Sequence, residues 1–198
     1  MFQNYSFDGF NVIHIDWILP FQNETFQSYA FRISENMNDE NAILIGLSFG
    51  GMLSVEISKI KKFKKVFLLS SAKTKSEIPF YYKVLGKLNL LEIIPVSFLK
   101  SVNFLTYLVF GAKTNSEKNL LKDIVKNTES SFMKWALHQI INWKNKDFDG
   151  NIVHIQGDSD LILPHNFVKY DYLIKGGTHF MTLNQSKKIE QIILDNLV

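Results

Sequence analysis

The most constraining stretch of this 198-residue chain is a sharp turn from an apolar strand into a helix. The apolar run Ala42–Ile45 has the length and branching of a buried strand, and the sequence Gly-Leu-Ser-Phe-Gly follows it directly. Apolar residues then recur at helical spacing over Met52–Ile60. A turn with almost no connecting residues lifts the Ser48 hydroxyl off the sheet edge, and only small neighbours such as Gly46 and Gly50 tolerate the strained backbone there. Ser48 is therefore a candidate nucleophile.

Length and composition favour one globular domain with a sizeable core. The chain is 46% hydrophobic and 21% charged, and its net charge of +3 is small. The only lysine cluster, Lys59–Lys65, suits the negative end of a helix dipole, so we expect no nucleic-acid partner. The absence of cysteine excludes disulfides, thiolate metal sites and a cysteine nucleophile.

The sequence carries no pattern typical of secretion or membrane insertion. The first residues lack the basic and then apolar pattern of a signal peptide. The longest charge-free apolar run in the middle of the chain, Ser101–Ala112, is shorter than the ~20 residues that span a bilayer. We therefore expect a cytoplasmic protein without a membrane span.

Strands and helices alternate in both terminal parts of the chain. The strand runs are nearly continuous rather than alternating, which is typical of a parallel sheet covered on both faces. The predicted elements are a strand over Asn11–Asp16, a helix over Thr25–Met37 with Thr25 as its N-cap, the Ala42 strand and its helix, strands over Lys65–Ser71, Asn151–Gly157 and Tyr170–Ile174, and a closing helix from Gln185 capped by Asn184.

The alternation stops between Lys73 and Lys146, where only helical patterns occur. These patterns cover Tyr81–Leu91, Val96–Phe110, Glu117–Lys126 and Ser130–Trp143. We therefore expect a core made of residues 1–72 and 147–198, with a helical insertion over residues 73–146.

Three reactive side chains fall just past the carboxyl ends of predicted parallel strands, the edge where ligands bind in such sheets. They are Ser48, Asp160 and His179. A serine hydroxyl needs a base to take its proton, and a histidine base needs a carboxylate to orient it. These three side chains are able to fill those roles. Each also has a purely structural alternative: a turn serine, a turn-capping aspartate and a loop histidine.

In three motifs the sequence resembles the α/β-hydrolase superfamily, in particular small bacterial serine hydrolases with a lid. The motifs are the Gly46–Gly51 elbow, the segment Gly157–Pro164 that reads Gly-x-x-Asp, apolar residues and Pro, and the glycine-rich loop Gly176–Phe180. Their order in the chain is also that of the family. The phasing of the second motif favours Asp160 over Asp158 as the acid.

The resemblance implies an α/β-hydrolase fold, which is a mostly parallel sheet flanked by helices, with residues 73–146 as an inserted lid. It implies that Ser48 is the nucleophile, His179 the base and Asp160 the orienting acid, and that the backbone N–H of Phe49 binds the oxyanion. No two histidines fall on one helix face with a carboxylate, so we expect no metal site, and we expect no cofactor. His14 and His154 within predicted strands and His138 within a predicted helix are expected to be structural, and His165 is expected to be a solvated surface residue.

One part of the family pattern has no counterpart. Members usually begin with three strands before the one expected at Asn11–Asp16, and the loop after the third supplies a second oxyanion donor. Only about ten residues precede that strand here, so we expect an N-terminally truncated fold. The sheet gap would then be closed by direct pairing, by a partner chain or by an upstream segment.

The sequence thus predicts a serine hydrolase acting on a carboxylic ester or related acyl compound. The Phe-, Leu- and Trp-rich insertion indicates a small-molecule substrate with an apolar group. Carbon–carbon hydrolases and acyltransferases share the same triad. The alternative is a catalytically weak or inactive binding protein with an incomplete oxyanion hole. A homodimer is left open.

Overall fold

A parallel sheet of four strands, in the order β1-β2-β3-β4, runs through the protein. This computed structural model describes residues 2, 4–88, 94–148 and 150–197. The strands are β1 (Ile43–Leu47), β2 (Lys65–Leu69), β3 (Ile152–Gly157) and β4 (Tyr172–Ile174). Parallel neighbours in chain order need a crossover between each pair. Helices lie in the first two crossovers, and a loop with one short 3₁₀ turn connects β3 to β4.

Nine helices are found in the described residues. They are α1 (Phe26–Ile33), α2 (Phe49–Ser58), α3 (Phe80–Lys87), α4 (Val96–Leu99), α5 (Phe104–Phe110), α6 (Asn115–Asn127), α7 (Ser130–Asn142), α8 (Met181–Asn184) and α9 (Ser186–Asp195). Short 3₁₀ turns lie at Lys75–Glu77 and His165–Phe167. As predicted, Thr25 caps α1, and its side chain accepts a hydrogen bond from the Ser28 N–H. None of the helices described is long and apolar enough to cross a bilayer.

Strand β2 contributes to two apolar clusters, one on each face of the sheet. Val66 and Leu68 belong to the cluster that contains residues of α1, α2 and α7. Phe67 and Leu69 point to the opposite face, where α9 packs. Side chains of a strand alternate between faces, so a strand buried on both sides reads as a continuous apolar run. This explains why residues Val66–Leu69, within the predicted strand over Lys65–Ser71, form an uninterrupted apolar run.

Residues 11–20 are not a strand, so the prediction for Asn11–Asp16 is wrong. Val12, Ile13 and Ile15 are 46%, 75% and 47% exposed. Within the described chain, β1 pairs with β2 only, and no strand lies along its other edge. Strand backbone groups need a neighbour for their hydrogen bonds, and this segment has none among the described residues. Direct pairing with β1 therefore does not close the sheet.

Three helix predictions need smaller corrections. The stretch Val96–Phe110 forms two helices, because the Asn103 side chain accepts hydrogen bonds from the N–H groups of Leu105 and Thr106 and so starts α5. Asn184 does not cap the closing helix, since α8 ends at Asn184 and α9 begins at Ser186. The predicted helix at Tyr81–Leu91 ends at Lys87 as α3, and residues 89–91 lie outside the described residues.

The chain leaves the sheet after β2 and returns to it before β3 through one junction. We call this junction, formed by Lys73, Lys75, Glu77 and Asn145, the neck. The Asn145 side-chain amide donates to the Lys73 carbonyl at 2.8 Å, and the Lys75 N–H donates to the Asn145 carbonyl at 2.8 Å. Glu77 accepts from the backbone N–H groups of Lys73 and Lys169, which ties the neck to the loop before β4. The two ends of this helical segment are therefore bonded to each other.

A buried carboxylate joins the neck to α2. Glu56 is 3% exposed, and it accepts from the Trp143 indole N–H at 2.7 Å and from the Lys59 ammonium group at 2.9 Å. Lys59 also donates to Asn145 at 2.6 Å. A buried carboxylate is stabilised only when it is paired in this way.

Buried His154 in β3 should make folding stability depend on pH. Burial, with help from nearby Lys73, lowers the pKa of His154 from 6.5 to about 4. Between these values the unfolded chain binds a proton that the folded chain does not. The free energy of unfolding should therefore decrease by about 3 kcal/mol from this residue as the pH falls from 6.5 to 4.

The measurement is urea unfolding at pH 6.5 and pH 4. The His154→Leu variant should lose this part of the pH dependence, whatever its own stability. His14 lies in the exposed segment, so His14→Leu is the matched control for the loss of a histidine. Equal pH dependence in wild type and His154→Leu would contradict the expectation.

Candidate active site

Ser48 is the only residue between β1 and α2, and its backbone is strained. Its φ of 53° and ψ of −121° are unusual for any residue other than glycine and typically cost about 1–3 kcal/mol. The Ser48 N–H donates to the Leu69 carbonyl at 2.9 Å, and the Ser48 carbonyl accepts from the Ser71 hydroxyl at 2.7 Å and from the Gly51 N–H at 2.9 Å. The end of β2 thus holds the turn.

Gly46 and Gly51, rather than Gly46 and Gly50, are the sterically required glycines of the turn. A Cβ on Gly46 would lie 2.5 Å from the Gly50 carbonyl oxygen, and one on Gly51 would lie 2.5 Å from the Ser71 Cβ. A Cβ on Gly50 would meet only the Trp17 ring, at 3.8 Å, which is an ordinary contact. The expectation that Gly50 must be small is therefore wrong.

The structure brings the three predicted site residues into one chain of hydrogen bonds. His179 Nε2 lies 2.9 Å from Ser48 Oγ, and His179 Nδ1 lies 2.8 Å from Asp160 Oδ2. Both His179 and Asp160 are almost completely buried. The carboxylate accepts from Nδ1, which leaves Nε2 able to accept the serine proton.

The Asp160 carboxylate is held as an anion in a buried position. Its Oδ1 accepts from the backbone N–H groups of Ile162 and Leu163 at 2.9 and 3.0 Å. Burial by itself would raise the pKa of Asp160, but the hydrogen bond and charge of His179, with the Leu163 N–H, outweigh burial and lower the pKa. The charged carboxylate is therefore the form that faces His179.

Close backbone packing brings the loops after β3 and β4 together. A Cβ on Gly177 would lie 3.0 Å from the Gly157 Cα, so both positions favour glycine. The Ser159 N–H donates to the Gly177 carbonyl at 2.9 Å. Asp158 accepts from the Gly176 N–H at 2.7 Å, so this aspartate ties the loops together, whereas Asp160 faces the imidazole.

Two supporting residues were missed by the sequence reasoning. Gln156 donates to Asp160 Oδ2 at 3.4 Å and to the Leu163 carbonyl at 2.7 Å. Ser71, described above, donates to the Ser48 carbonyl. A glutamine inside an otherwise apolar strand was the available signal for Gln156, because a buried amide needs polar partners. Ser70 and Ser71, which follow β2, carried no comparable signal in the sequence.

Phe49 is the first residue of α2, so its backbone N–H has no acceptor within the helix. Its ring stacks on Phe26 with ring centroids 5.0 Å apart and contacts the Trp17 ring at 5.6 Å. These contacts fix the start of α2 beside Ser48. In the part of the chain that the structure describes, no group of three or more His, Asp or Glu side chains is placed to hold a metal ion.

The glycine geometry predicts opposite effects for two adjacent substitutions. Gly51→Ala should destabilise the protein by about 1–3 kcal/mol, because the new methyl group overlaps the Ser71 side chain that holds Ser48. Gly50→Ala should be neutral or stabilise by up to about 1 kcal/mol, because alanine is the better helix former and the space is open. Urea unfolding of the two variants measures this, and equal effects would refute the assignment.

No protein-family model and no curated protein matches the chain. Solved structures do match it. A bromoperoxidase from Bacillus anthracis is 18% identical, with a TM-score of 0.56 over 90% of this chain and 76% of that one. An esterase from Exiguobacterium antarcticum is 12% identical, with a TM-score of 0.59 over 87% and 74%. A meta-cleavage product hydrolase from Pseudomonas fluorescens is 12% identical, with a TM-score of 0.60 over 88% and 72%. From the sheet, its helices and these similarities, we conclude that the chain has the α/β-hydrolase fold.

Proposed function

We propose that the protein is a serine hydrolase that cleaves a carboxylic ester or a related acyl compound. The observation that carries this proposal is the hydrogen-bonded series from Asp160 through His179 to Ser48, with distances of 2.8 and 2.9 Å. Nucleophile, base and orienting acid are thereby within reach of each other.

The geometry suggests a two-step reaction. His179 Nε2 takes the Ser48 proton as Oγ attacks the substrate carbonyl carbon, and the Phe49 N–H donates to the resulting oxyanion. His179 then gives its proton to the leaving alcohol, and an acyl-serine ester remains. Water attacks that ester by the same route, with His179 again as base, and releases the acid. Asp160 stabilises the imidazolium in both steps.

The helices between β2 and β3 are proposed to form a lid over the site, with residues 1–72 and 147–198 as the core. In support, the Phe110 ring at the end of α5 meets the His179 imidazole edge-on, with centroids 5.7 Å apart. An apolar wall at this place would favour a substrate with an apolar group.

The similar solved structures support a hydrolase without selecting the reaction. One is an esterase and another is a meta-cleavage product hydrolase. A shared fold does not fix the substrate. We favour ester cleavage because this reaction requires only a nucleophile, a base and an oxyanion donor.

The second candidate is a binding protein with little or no catalytic activity. It is favoured by the exposed segment over residues 11–16, which forms no strand next to β1. In the family, a loop from this region of the sheet supplies the second oxyanion donor. Loss of one such donor typically reduces kcat by about 10²- to 10³-fold.

A fluorophosphonate probe distinguishes the two candidates. Wild type should be labelled covalently, and Ser48→Ala should not, because the probe reacts only with an activated serine. Ser116→Ala, at an exposed position on α6, is the matched control and should be labelled like wild type. Intact-mass spectrometry measures the labelling. Unlabelled wild type that is folded by circular dichroism would favour the binding protein.

A further inference from the structure

A cavity of about 610 Å³ lies between α5 and the loops that follow β3 and β4. We call it the α5 groove. Its walls include three apolar side chains, Phe104, Leu108 and Leu161, which are 76%, 53% and 52% exposed. Lys113, Lys118 and Thr178 also line it. Apolar side chains exposed to this extent along a groove indicate a surface that binds something apolar.

The α5 groove lies beside the proposed catalytic residues. Thr178 directly precedes His179, and Leu161 directly follows Asp160. At the end of α5, the Phe110 ring packs against the His179 imidazole. A substrate in the groove would therefore extend along the two loops that carry the base and the acid.

The charged side chains that line the groove have one sign. Its lining carries two ammonium groups and, among the described residues, no carboxylate. Nearby Glu117 is buried, and its oxygens accept from the backbone N–H groups of Lys113 and Thr114 and from the Asn184 amide. The hydrogen bonds of the Glu117 carboxylate are therefore made with backbone and amide groups and not with the ammonium groups of Lys113 and Lys118. The Lys118 ammonium lies over the Tyr107 ring, 5.7 Å from its centroid, where it can still donate hydrogen bonds to an anion.

We propose that the α5 groove binds the acyl part of the substrate, and that this part is an apolar chain ending in a carboxylate. Phe104, Leu108 and Leu161 bind the chain, and Lys113 and Lys118 bind the carboxylate. This inference rests on the proposed function, because it names the substrate class of the same site. The substrate is thus a monoester of a dicarboxylic acid, and the ester group at the other end of the chain is the one that Ser48 attacks.

Two esters of equal chain length test the proposal. Mono-p-nitrophenyl adipate carries the terminal carboxylate, and p-nitrophenyl hexanoate does not. Wild type should have the higher kcat/KM for the adipate ester. In Lys113→Met/Lys118→Met, which keeps the apolar stems, the ratio of kcat/KM between the two esters should fall about tenfold. Added salt should reduce the wild-type ratio, because the lysines are partly exposed.

Lys187→Met/Lys188→Met is the matched control. These lysines are on α9, outside the α5 groove, so the ratio should remain that of wild type. Thermal unfolding of both double variants checks that each is folded. An unchanged ratio in folded Lys113→Met/Lys118→Met, with both esters hydrolysed, would overturn the inference and leave the proposed function in place.

A binding measurement separates the inference from catalysis. Hexanoate and hexanol are titrated into Ser48→Ala, with and without the two groove substitutions, and binding is followed by NMR chemical shifts. Hexanoate should bind more tightly than hexanol, and the lysine substitutions should remove the difference. If neither ester is hydrolysed but this difference is found, the proposed function fails and the groove assignment stands. Equal binding of hexanoate with and without the lysines contradicts the groove assignment.

Discussion

The strained backbone of Ser48 is the constraint on which the site depends. Its conformation is unfavourable, and hydrogen bonds from the end of β2 offset the strain. Those bonds exist only because β1 and β2 pair in a fixed parallel register, with Leu47 opposite Leu69. The apolar clusters on both faces hold that register. The geometry of the proposed nucleophile therefore depends on the packing of the core.

The sequence predicted what depends on short-range pattern. The buried strands, the Thr25 cap and the three residues at strand ends follow from periodicity and spacing. Gly51 could not be distinguished from Gly50, because the difference depends on which side of α2 faces Ser71. The segment 11–16 has the composition of a strand. A strand also needs a neighbouring strand, and composition alone does not indicate whether one is present. The role of Gln156 likewise depends on a contact across a loop.

The acid and the base come from two loops that close glycine contacts bring together. This arrangement places the buried carboxylate against the imidazole without exposing either to water. The same two loops form one wall of the α5 groove. One edge of the sheet would thus provide both the reacting groups and the surface that selects a substrate.

The neck at Asn145 limits how the helices between β2 and β3 can move. The backbone at Lys73 and Lys75 is bonded to Asn145, and buried Glu56 and Glu77 fasten this junction to α2 and to the loop before β4. A rigid-body swing of the whole segment would break these contacts together. In the proposed lid, access to Ser48 would have to come from smaller rearrangements within the segment, away from the bonded neck.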